Sequence, residues 1–381
     1  MIDLVFCLLG IGLGIFLGLV PGMHINNFLP FFALLSFTST QMFFFVVAAS
    51  MAYVFSSLFP SILLGVPNED TALNVLPGHR LVLEGKAYSA LIISLAGGLL
   101  VVLFSIPFLV FFLNALPAIY PTVHKMVPYI LIVILVFMFL ADKRQSIVVL
   151  ALSSILGFLT FNFNLLLPLL SGFFGLSTLL ISFLNKSSLS PQVMRFNSKL
   201  SFSSLSMISF TSCFLSSIFG FIPAVSSSIV GTIASYIRKF DSEEFLVLLS
   251  GTNVVYMVYS FFALFLIHKT RSGSAVFLSQ IFEKESIFFV LGIILLSSAL
   301  AFLICLKIAR PLVGLYKRLN YQKLSLFSIF FLVAVNSALA GFFGLLVLLA
   351  STSIGLLSNF LGVKRINCMA ALIVPTIVVL L

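Results

Sequence analysis

Two proline-containing motifs interrupt hydrophobic stretches of this sequence, and polar side chains follow each of them. Residues 18–24 read Gly-Leu-Val-Pro-Gly-Met-His, and residues 220–226 read Gly-Phe-Ile-Pro-Ala-Val-Ser. Proline removes a backbone donor and glycine relaxes the restriction on φ, so each motif is expected to unwind a helix. The helix that restarts after such a break presents N–H groups that favour an anion. We therefore predict a substrate site made of Pro21, Gly22, His24, Asn26, Asn27, Pro223, Ala224, Ser226 and Ser227.

A second polar element follows the next long apolar run in each half of the chain. In the first half it contains Glu69 and Asp70, and in the second half it contains Lys269 and Arg271. We expect the two basic side chains to compensate the charge of a bound anion, and Glu69 or Asp70 to couple transport to a proton or a sodium ion. The alternative is that these residues are solvated helix ends, that the polar residues after each proline are ordinary N-caps, and that the prolines only kink packed helices.

The elements that must position these residues are membrane helices. Hydrophobic residues make up 61% of the chain and charged residues 8%, against roughly a quarter charged in soluble domains. The apolar runs are continuous, unlike the alternating ~10-residue strands of a membrane β-barrel, and many approach the ~20 residues that cross a bilayer. We predict an all-α polytopic protein of the cell membrane, with about ten transmembrane helices plus re-entrant or broken helices. Half-helices are expected at residues 28–37 and 229–237.

The remaining composition argues against other classes of function. The chain has 20 Lys and Arg against 10 Asp and Glu, but the basic residues stand in short loops, where they signal topology and not nucleic-acid binding. Histidines 24, 79, 124 and 268 are scattered singly, with His79 and His124 expected in loops, and no nucleophile, metal or paired-carboxylate motif is present. We therefore expect neither an enzyme nor a metal or other cofactor.

An internal repeat organises the chain into two halves. Beyond the two proline motifs, Tyr53 matches Tyr256 and Ser57 matches Ser260 at a constant offset of 203 residues. We predict one membrane repeat over residues 1–185 and a second over 186–381, with inverted orientation. Inverted repeats with broken helices are typical of secondary transporters, whose substrates bind near the midplane between the repeats.

Three motifs of the first half resemble a known family. They are Gly14-x3-Gly18-x2-Pro21-Gly22, the segment 53–67 that ends in Gly-Val-Pro, and the segment 76–87, Leu-Pro-Gly-His-Arg-Leu-x3-Gly-Lys-Ala. Together they resemble the TctA family, the large membrane subunit of tripartite tricarboxylate transporters, in a shorter, archaeal-type form. The resemblance implies a duplicated permease for citrate-like carboxylates, driven by an ion gradient and served by a binding protein and a small membrane subunit. Ala224 and the stretch 268–271 depart from that pattern.

The prediction from these features is a permease that moves an organic anion, such as a carboxylate, by alternating access at a midplane site between the repeats. The alternative is a polyprenyl-phosphate translocase, because those lipid-carrier transporters are similar in having duplicated Pro-Gly elements. Arginine binds phosphate or carboxylate equally well in a bidentate way. The expected partners are the organic anion or lipid phosphate and the bilayer, and no nucleic acid; homo-oligomerisation and a binding-protein partner stay open.

Overall fold

The computed structural model describes residues 2–20, 25–32, 34–64, 75–163, 165–184, 191–219, 227–281, 287–316 and 321–381. Over these ranges the chain is helical and contains no strand. The α-helices are α1 (Ile2–Leu19), α2 (Leu29–Phe32), α3 (Ser39–Ser56), α4 (Val75–Leu83), α5 (Ala87–Leu140), α6 (Ser146–Thr160), α7 (Leu166–Leu170), α8 (Ser177–Leu184), α9 (Phe202–Phe219), α10 (Ser227–Ile237), α11 (Ser242–Ile267), α12 (Gly273–Ile281), α13 (Ile287–Tyr316), α14 (Tyr321–Phe360) and α15 (Ala370–Leu380). Short 3₁₀ turns cover Ile25–Asn27, Phe161–Phe163 and Arg365–Met369, and π-helical segments cover Pro60–Leu64 and Ser171–Leu176.

The all-α polytopic fold expected from composition is confirmed. Within the described ranges, seven helices are long and apolar enough to cross a membrane, and three shorter apolar helices accompany them. The expectation of about ten transmembrane helices thus corresponds to seven long helices and three short ones. The half-helix expected at 229–237 is present as α10, whose 11 residues span only about 17 Å at 1.5 Å per residue.

Two helices run through stretches that the hydrophobicity pattern separates. Helix α5 has 54 residues, about 80 Å of helix, which is more than twice a 30 Å hydrocarbon core. It is therefore longer than one crossing requires, and its four internal prolines, at 107, 117, 121 and 128, lack the backbone N–H groups whose hydrogen bonds resist bending. Helix α14 changes direction at Gly341, whose φ of 62° is a conformation that suits glycine.

Small residues allow the first helix of each half to approach a core helix closely. A Cβ placed on Gly10 or Gly14 of α1 would overlap the carbonyl oxygen of Phe45 or Ala49 in α3. In the second half, Ser212 of α9 donates a hydrogen bond of 3.1 Å to the carbonyl of Leu248 in α11. Leu248 stands 203 residues after Phe45, so small side chains contact equivalent carbonyls in the two halves.

The two core helices also begin in the same way. Thr38 caps α3 by accepting a hydrogen bond from the Gln41 amide, and the Gln41 side chain accepts one from the Thr38 amide. Asp241 and Glu244 form the same reciprocal box at the start of α11. Both boxes stand 203 residues apart and fix the first turn of a helix that lies almost entirely within the protein.

Each half supplies helices that cover the core helix of the other half. Helix α5 packs against α11, and α13 packs against α3. The short helices repeat this exchange, because α4 contacts α11 and α12 contacts α3. The two halves of the chain are therefore interlocked.

The linker between the halves is held by buried polar contacts. The Gln192 side chain accepts a hydrogen bond from the Ala87 amide at 3.1 Å and donates one to the Val82 carbonyl at 2.8 Å. A few residues later, Ser198 donates to the buried carboxylate of Glu243 at 2.7 Å, near the start of α11. The linker therefore ties the α4–α5 turn of the first half to the core helix of the second.

Two histidines expected in loops lie in helices instead. The expectation was wrong because the polar residues around His79 mark one face of an amphipathic helix, α4, and not a loop. Arg80 is exposed there and pairs with Glu84 at 3.3 Å, whereas His79 is 6% exposed. His124 lies within α5, with its ring 5.6 Å from that of Tyr120. Burial lowers the pKa of His79 from its ordinary 6.5 to about 4.

The close contact of α1 with α3 predicts a strong difference between two neighbouring glycines. Gly14→Ala should lower the free energy of unfolding by about 1–3 kcal/mol, because the new methyl group overlaps a backbone carbonyl that cannot move away. Gly12→Ala is the matched control, since a Cβ at Gly12 meets nothing within 4 Å. Thermal unfolding in detergent can be followed with a thiol-reactive dye, because Cys7 on the same helix is buried. Equal midpoints for the two variants would contradict the packing described.

The buried His79 predicts a specific loss of stability in acid. The pKa of His79 in the folded state lies below its value in the unfolded state. The contribution of the neutral side chain to the free energy of unfolding is therefore complete above pH 6.5 and is lost as pH falls toward 4. At pH 5 the loss amounts to about 2 kcal/mol. His79→Gln should therefore lose less thermal stability than wild type between pH 7.5 and pH 5. Parallel pH profiles for the two proteins would show that His79 is not desolvated.

Candidate functional site

The structure describes five of the predicted site residues. Asn26 and Asn27 belong to the 3₁₀ turn Ile25–Asn27, Ser227 begins α10, and Lys269 and Arg271 lie between α11 and α12. The other predicted members lie outside the described residues; they are Pro21, Gly22, His24, Glu69, Asp70, Pro223, Ala224 and Ser226.

Asn26 brings the region after the first proline motif against the basic stretch of the second half. A Cβ on Gly273 would lie 2.5 Å from the Cγ and Oδ1 atoms of Asn26. The 3₁₀ turn and α2 both contact α12. Gly273 follows Arg271 by two residues, so the turn after the first proline motif lies next to the segment that carries Arg271, although the two are distant in sequence.

Arg271 is a half-buried cation held by an aromatic side chain. Its Nη2 donates a hydrogen bond of 3.3 Å to the hydroxyl of Tyr256, and its guanidinium carbon lies 5.7 Å from the centre of the Tyr256 ring. Lys269, by contrast, is exposed. Arg271 is therefore held within the protein by Tyr256, whereas Lys269 extends from its surface.

Serine hydroxyls fix the start of α12 beside Arg271. Ser272 accepts a hydrogen bond from the Ala275 amide at 3.2 Å and another from the Ser260 hydroxyl at 2.8 Å. The next turn is tied to the first half, because Ser50 of α3 donates to Ser274 at 2.7 Å. These hydroxyls add a polar surface between the core helices and hold the Arg271 segment in place.

Most of these serines were not predicted as site residues, although the sequence contains a pattern that indicates some of them. The residues 272–274 read Ser-Gly-Ser directly before an apolar helix, which is a typical N-cap pattern. Ser50 gave no such signal, since it stands inside a long apolar run and shows its role only through contact with Ser274. Nothing in the sequence joins Tyr256 to Arg271, and their contact is visible only in the structure.

Asn253 places a further donor in the core. It lies on α11, 203 residues after Ser50, and is 2% exposed. Its Nδ2 atom has no hydrogen-bond partner among the residues that the structure describes. A buried amide without an acceptor is costly, by about 1–3 kcal/mol, so this atom has capacity to bind a water or a polar ligand.

Ser227 packs against a different set of elements. It is buried at the start of α10, and α10 contacts α9, α11 and the 3₁₀ turn Arg365–Met369. The described contacts thus join Asn26, and not Ser227, to the Arg271 stretch. Ser227 stays a predicted site residue, and its link to the site would run through α11.

The arrangement is suited to binding an anion. One guanidinium, one amide and several hydroxyls lie along the start of α12 and its contacts with α3, α11 and the turn Ile25–Asn27, and each is a type of group that holds carboxylate or phosphate oxygens. Within the ranges that the structure covers, no cluster of three His, Cys, Asp or Glu side chains has the arrangement needed to hold a metal ion.

Comparison with known proteins places this architecture in a family. The family model described as "Tripartite tricarboxylate transporter TctA family" matches residues 4–370. A protein of Methanocaldococcus jannaschii, named uncharacterized protein MJ1079, is 30% identical over 404 aligned positions that cover 99% of this chain and 98% of the relative. No solved structure matches. Members of the family act as multi-pass membrane components of transporters and typically work with the other subunits of a tripartite system. The match over nearly the whole length, together with the helical membrane fold, means that this chain belongs to the TctA family of tripartite tricarboxylate transporters.

Proposed function

We propose that this protein is a secondary transporter of the cell membrane that moves an organic anion by alternating access between two repeats, residues 1–185 and 186–381. The proposal rests on one contact: Asn26, which follows the first proline motif, packs against Gly273, which follows Arg271. A predicted anion ligand of the first half therefore lies beside the segment that carries Arg271 in the second half.

The exchange of helices between halves supports the duplication. The core helices α3 and α11 begin with equivalent capping boxes, and each is covered by helices from the other half. In this proposal the two halves rock against each other around the Arg271 site. The hydrogen bond between Ser50 and Ser274, which links α3 to α12, then moves with the site and forms again in each state.

The ligands in this proposal have separate tasks. Arg271 balances the negative charge of the anion, while Asn26, Ser227 and the backbone after Pro21 and Pro223 donate hydrogen bonds. Lys269 attracts the anion from solution because it is exposed. Glu69 or Asp70 carries the coupling proton or sodium ion. A polyprenyl-phosphate substrate stays the alternative, since the same guanidinium suits phosphate.

Substitution of each basic residue should distinguish the side chain that binds the anion from the one that only attracts it from solution. Arg271→Gln should weaken anion binding by about tenfold or more, since it removes a charge-assisted hydrogen bond. Lys269→Gln is the matched control and should change affinity by less than about threefold at physiological salt, because an exposed charge is screened. Equilibrium binding of radiolabelled carboxylates to purified protein, with counterflow in proteoliposomes, measures both. Equal losses in the two variants would contradict the assigned roles.

A double-mutant cycle tests the contact that carries the proposal. Gly273→Val should weaken anion binding in wild type because its side chain displaces Asn26. In an Asn26→Gly background the valine meets no side chain there, so the further loss should be small. The measurement is the coupling free energy from four binding constants. Additive losses would show that Asn26 and Gly273 act independently and that the site does not join the two halves.

A further inference from the structure

Two short loops meet at the ends of three apolar helices. One loop leaves α5 at Leu140 and enters α6 at Ser146, and the other leaves α14 at Phe360. The apolar segments of α5, α6 and α14 are each long enough to cross a membrane. Short loops between such helices lie at the membrane surface, within reach of lipid headgroups.

Asp142 joins the two loops through hydrogen bonds to neutral groups. Its Oδ2 accepts one of 2.7 Å from the Lys364 backbone amide and another of 2.7 Å from Nδ2 of Asn367. Its Oδ1 accepts one of 2.8 Å from the Lys143 backbone amide. These bonds fix a loop of the first half of the chain against a loop of the second half.

The two joined loops are strongly basic. Residues 141–145 read Ala-Asp-Lys-Arg-Gln and residues 361–367 read Leu-Gly-Val-Lys-Arg-Ile-Asn, so four basic side chains accompany one carboxylate. In other surface segments basic residues form ion pairs, as Arg238 does with Glu244 at 2.8 Å. Here the carboxylate is occupied by amide donors, and the loops together carry an excess of positive charge.

Three cationic side chains of these loops are placed where an anion at the membrane surface can reach them. Lys143 and Arg144 are exposed. A Cβ on Gly362 would lie 2.9 Å from Nζ of Lys143, so the ammonium group of the first loop reaches the second loop. Arg365 is half-buried and donates a hydrogen bond to the hydroxyl of Thr178 in α8. A guanidinium has five N–H donors, so this bond orients Arg365 and leaves donors for an anion.

Large apolar side chains stand directly beside the basic loops. Leu140, the last residue of α5, is 72% exposed, and Phe360, the last residue of α14, is 82% exposed. Ile147, at the start of α6, is 52% exposed. In a bilayer these side chains contact acyl chains. A ligand that matches both surfaces therefore has an anionic head and apolar chains.

We infer that the two basic loops bind an anionic phospholipid, with its headgroup at Lys143, Arg144 and Arg365 and its acyl chains along Leu140 and Phe360. Lysine and arginine both bind phosphate oxygens, and basic residues at a membrane surface attract anionic lipids. The excess of positive charge favours an anionic lipid over a zwitterionic one. This site uses none of the residues of the proposed transport site and does not depend on that proposal.

The first test measures which lipid contacts the loops when the full protein is reconstituted in liposomes. The chain contains no tryptophan, so Phe360→Trp places a single fluorophore beside the loops. Quenching by brominated phosphatidylglycerol should give an association constant at least about threefold higher than quenching by brominated phosphatidylcholine. Phe342→Trp, on the same helix and 75% exposed, is the matched control and should show equal constants. Comparing two lipids at one residue removes the effect of its depth in the bilayer.

Charge variants in the Phe360→Trp background test the named side chains. Lys143→Gln with Arg144→Gln should abolish the preference for the anionic lipid, whereas Lys143→Arg with Arg144→Lys keeps both charges and should retain it. Arg195→Gln with Lys199→Gln removes the same charge from exposed positions of the linker and should also retain it. Without any charge variant, the preference should weaken as salt rises, because exposed charges are screened.

Glycerol phosphate in solution distinguishes a bound lipid from a bound soluble phosphate. It carries the same phosphate without acyl chains and should not relieve the quenching of Phe360→Trp by the anionic lipid. An anionic preference that requires Lys143 and Arg144 and resists glycerol phosphate supports the inference. Equal quenching by the two lipids, a preference that survives loss of both charges, or displacement by glycerol phosphate would each overturn it. The proposed transport function is measured separately, by anion binding and counterflow.

Discussion

Helices in a bilayer gain little by hiding apolar surface from lipid, so their association depends on how closely their backbones approach and on the polar contacts between them. In this protein that approach occurs at Gly10 and Gly14 of α1 and at Ser212 of α9, where small residues lie against carbonyl oxygens of α3 and α11. The burial of the two core helices follows from these contacts.

Each core helix is covered by helices from the other half of the chain. Because α5 and α4 lie on α11, and α13 and α12 lie on α3, neither half is a self-contained unit. Motion of one half against the other must change the contacts of α4 and α12, the two short helices. Two polar links lie where such motion would act. One is the hydrogen bond between Ser50 and Ser274, which joins α3 to α12, and the other is the linker held by Gln192.

Charge is scarce inside this structure, and its scarcity gives the candidate site its chemical character. Arg271 donates a hydrogen bond to the Tyr256 hydroxyl and lies over the Tyr256 ring. A guanidinium binds carboxylate and phosphate oxygens in a bidentate way, so the proposed site suits an anion of either kind.

The sequence by itself determined the class of fold, since 61% hydrophobic residues in continuous runs can satisfy their backbone in lipid only as helices. It also identified the family, through motifs of the first half, and marked Asn26 and Arg271 as candidates through local patterns. It did not determine that Asn26 meets Gly273, that His79 is buried, or that Tyr256 holds Arg271. Hydrophobic periodicity shows which face of a helix avoids water. In a bilayer nearly every face of a helix is apolar, so this pattern does not show which face packs against a neighbour. The choice of partners depends on small residues and single polar contacts between distant segments, and only the tertiary structure decides those.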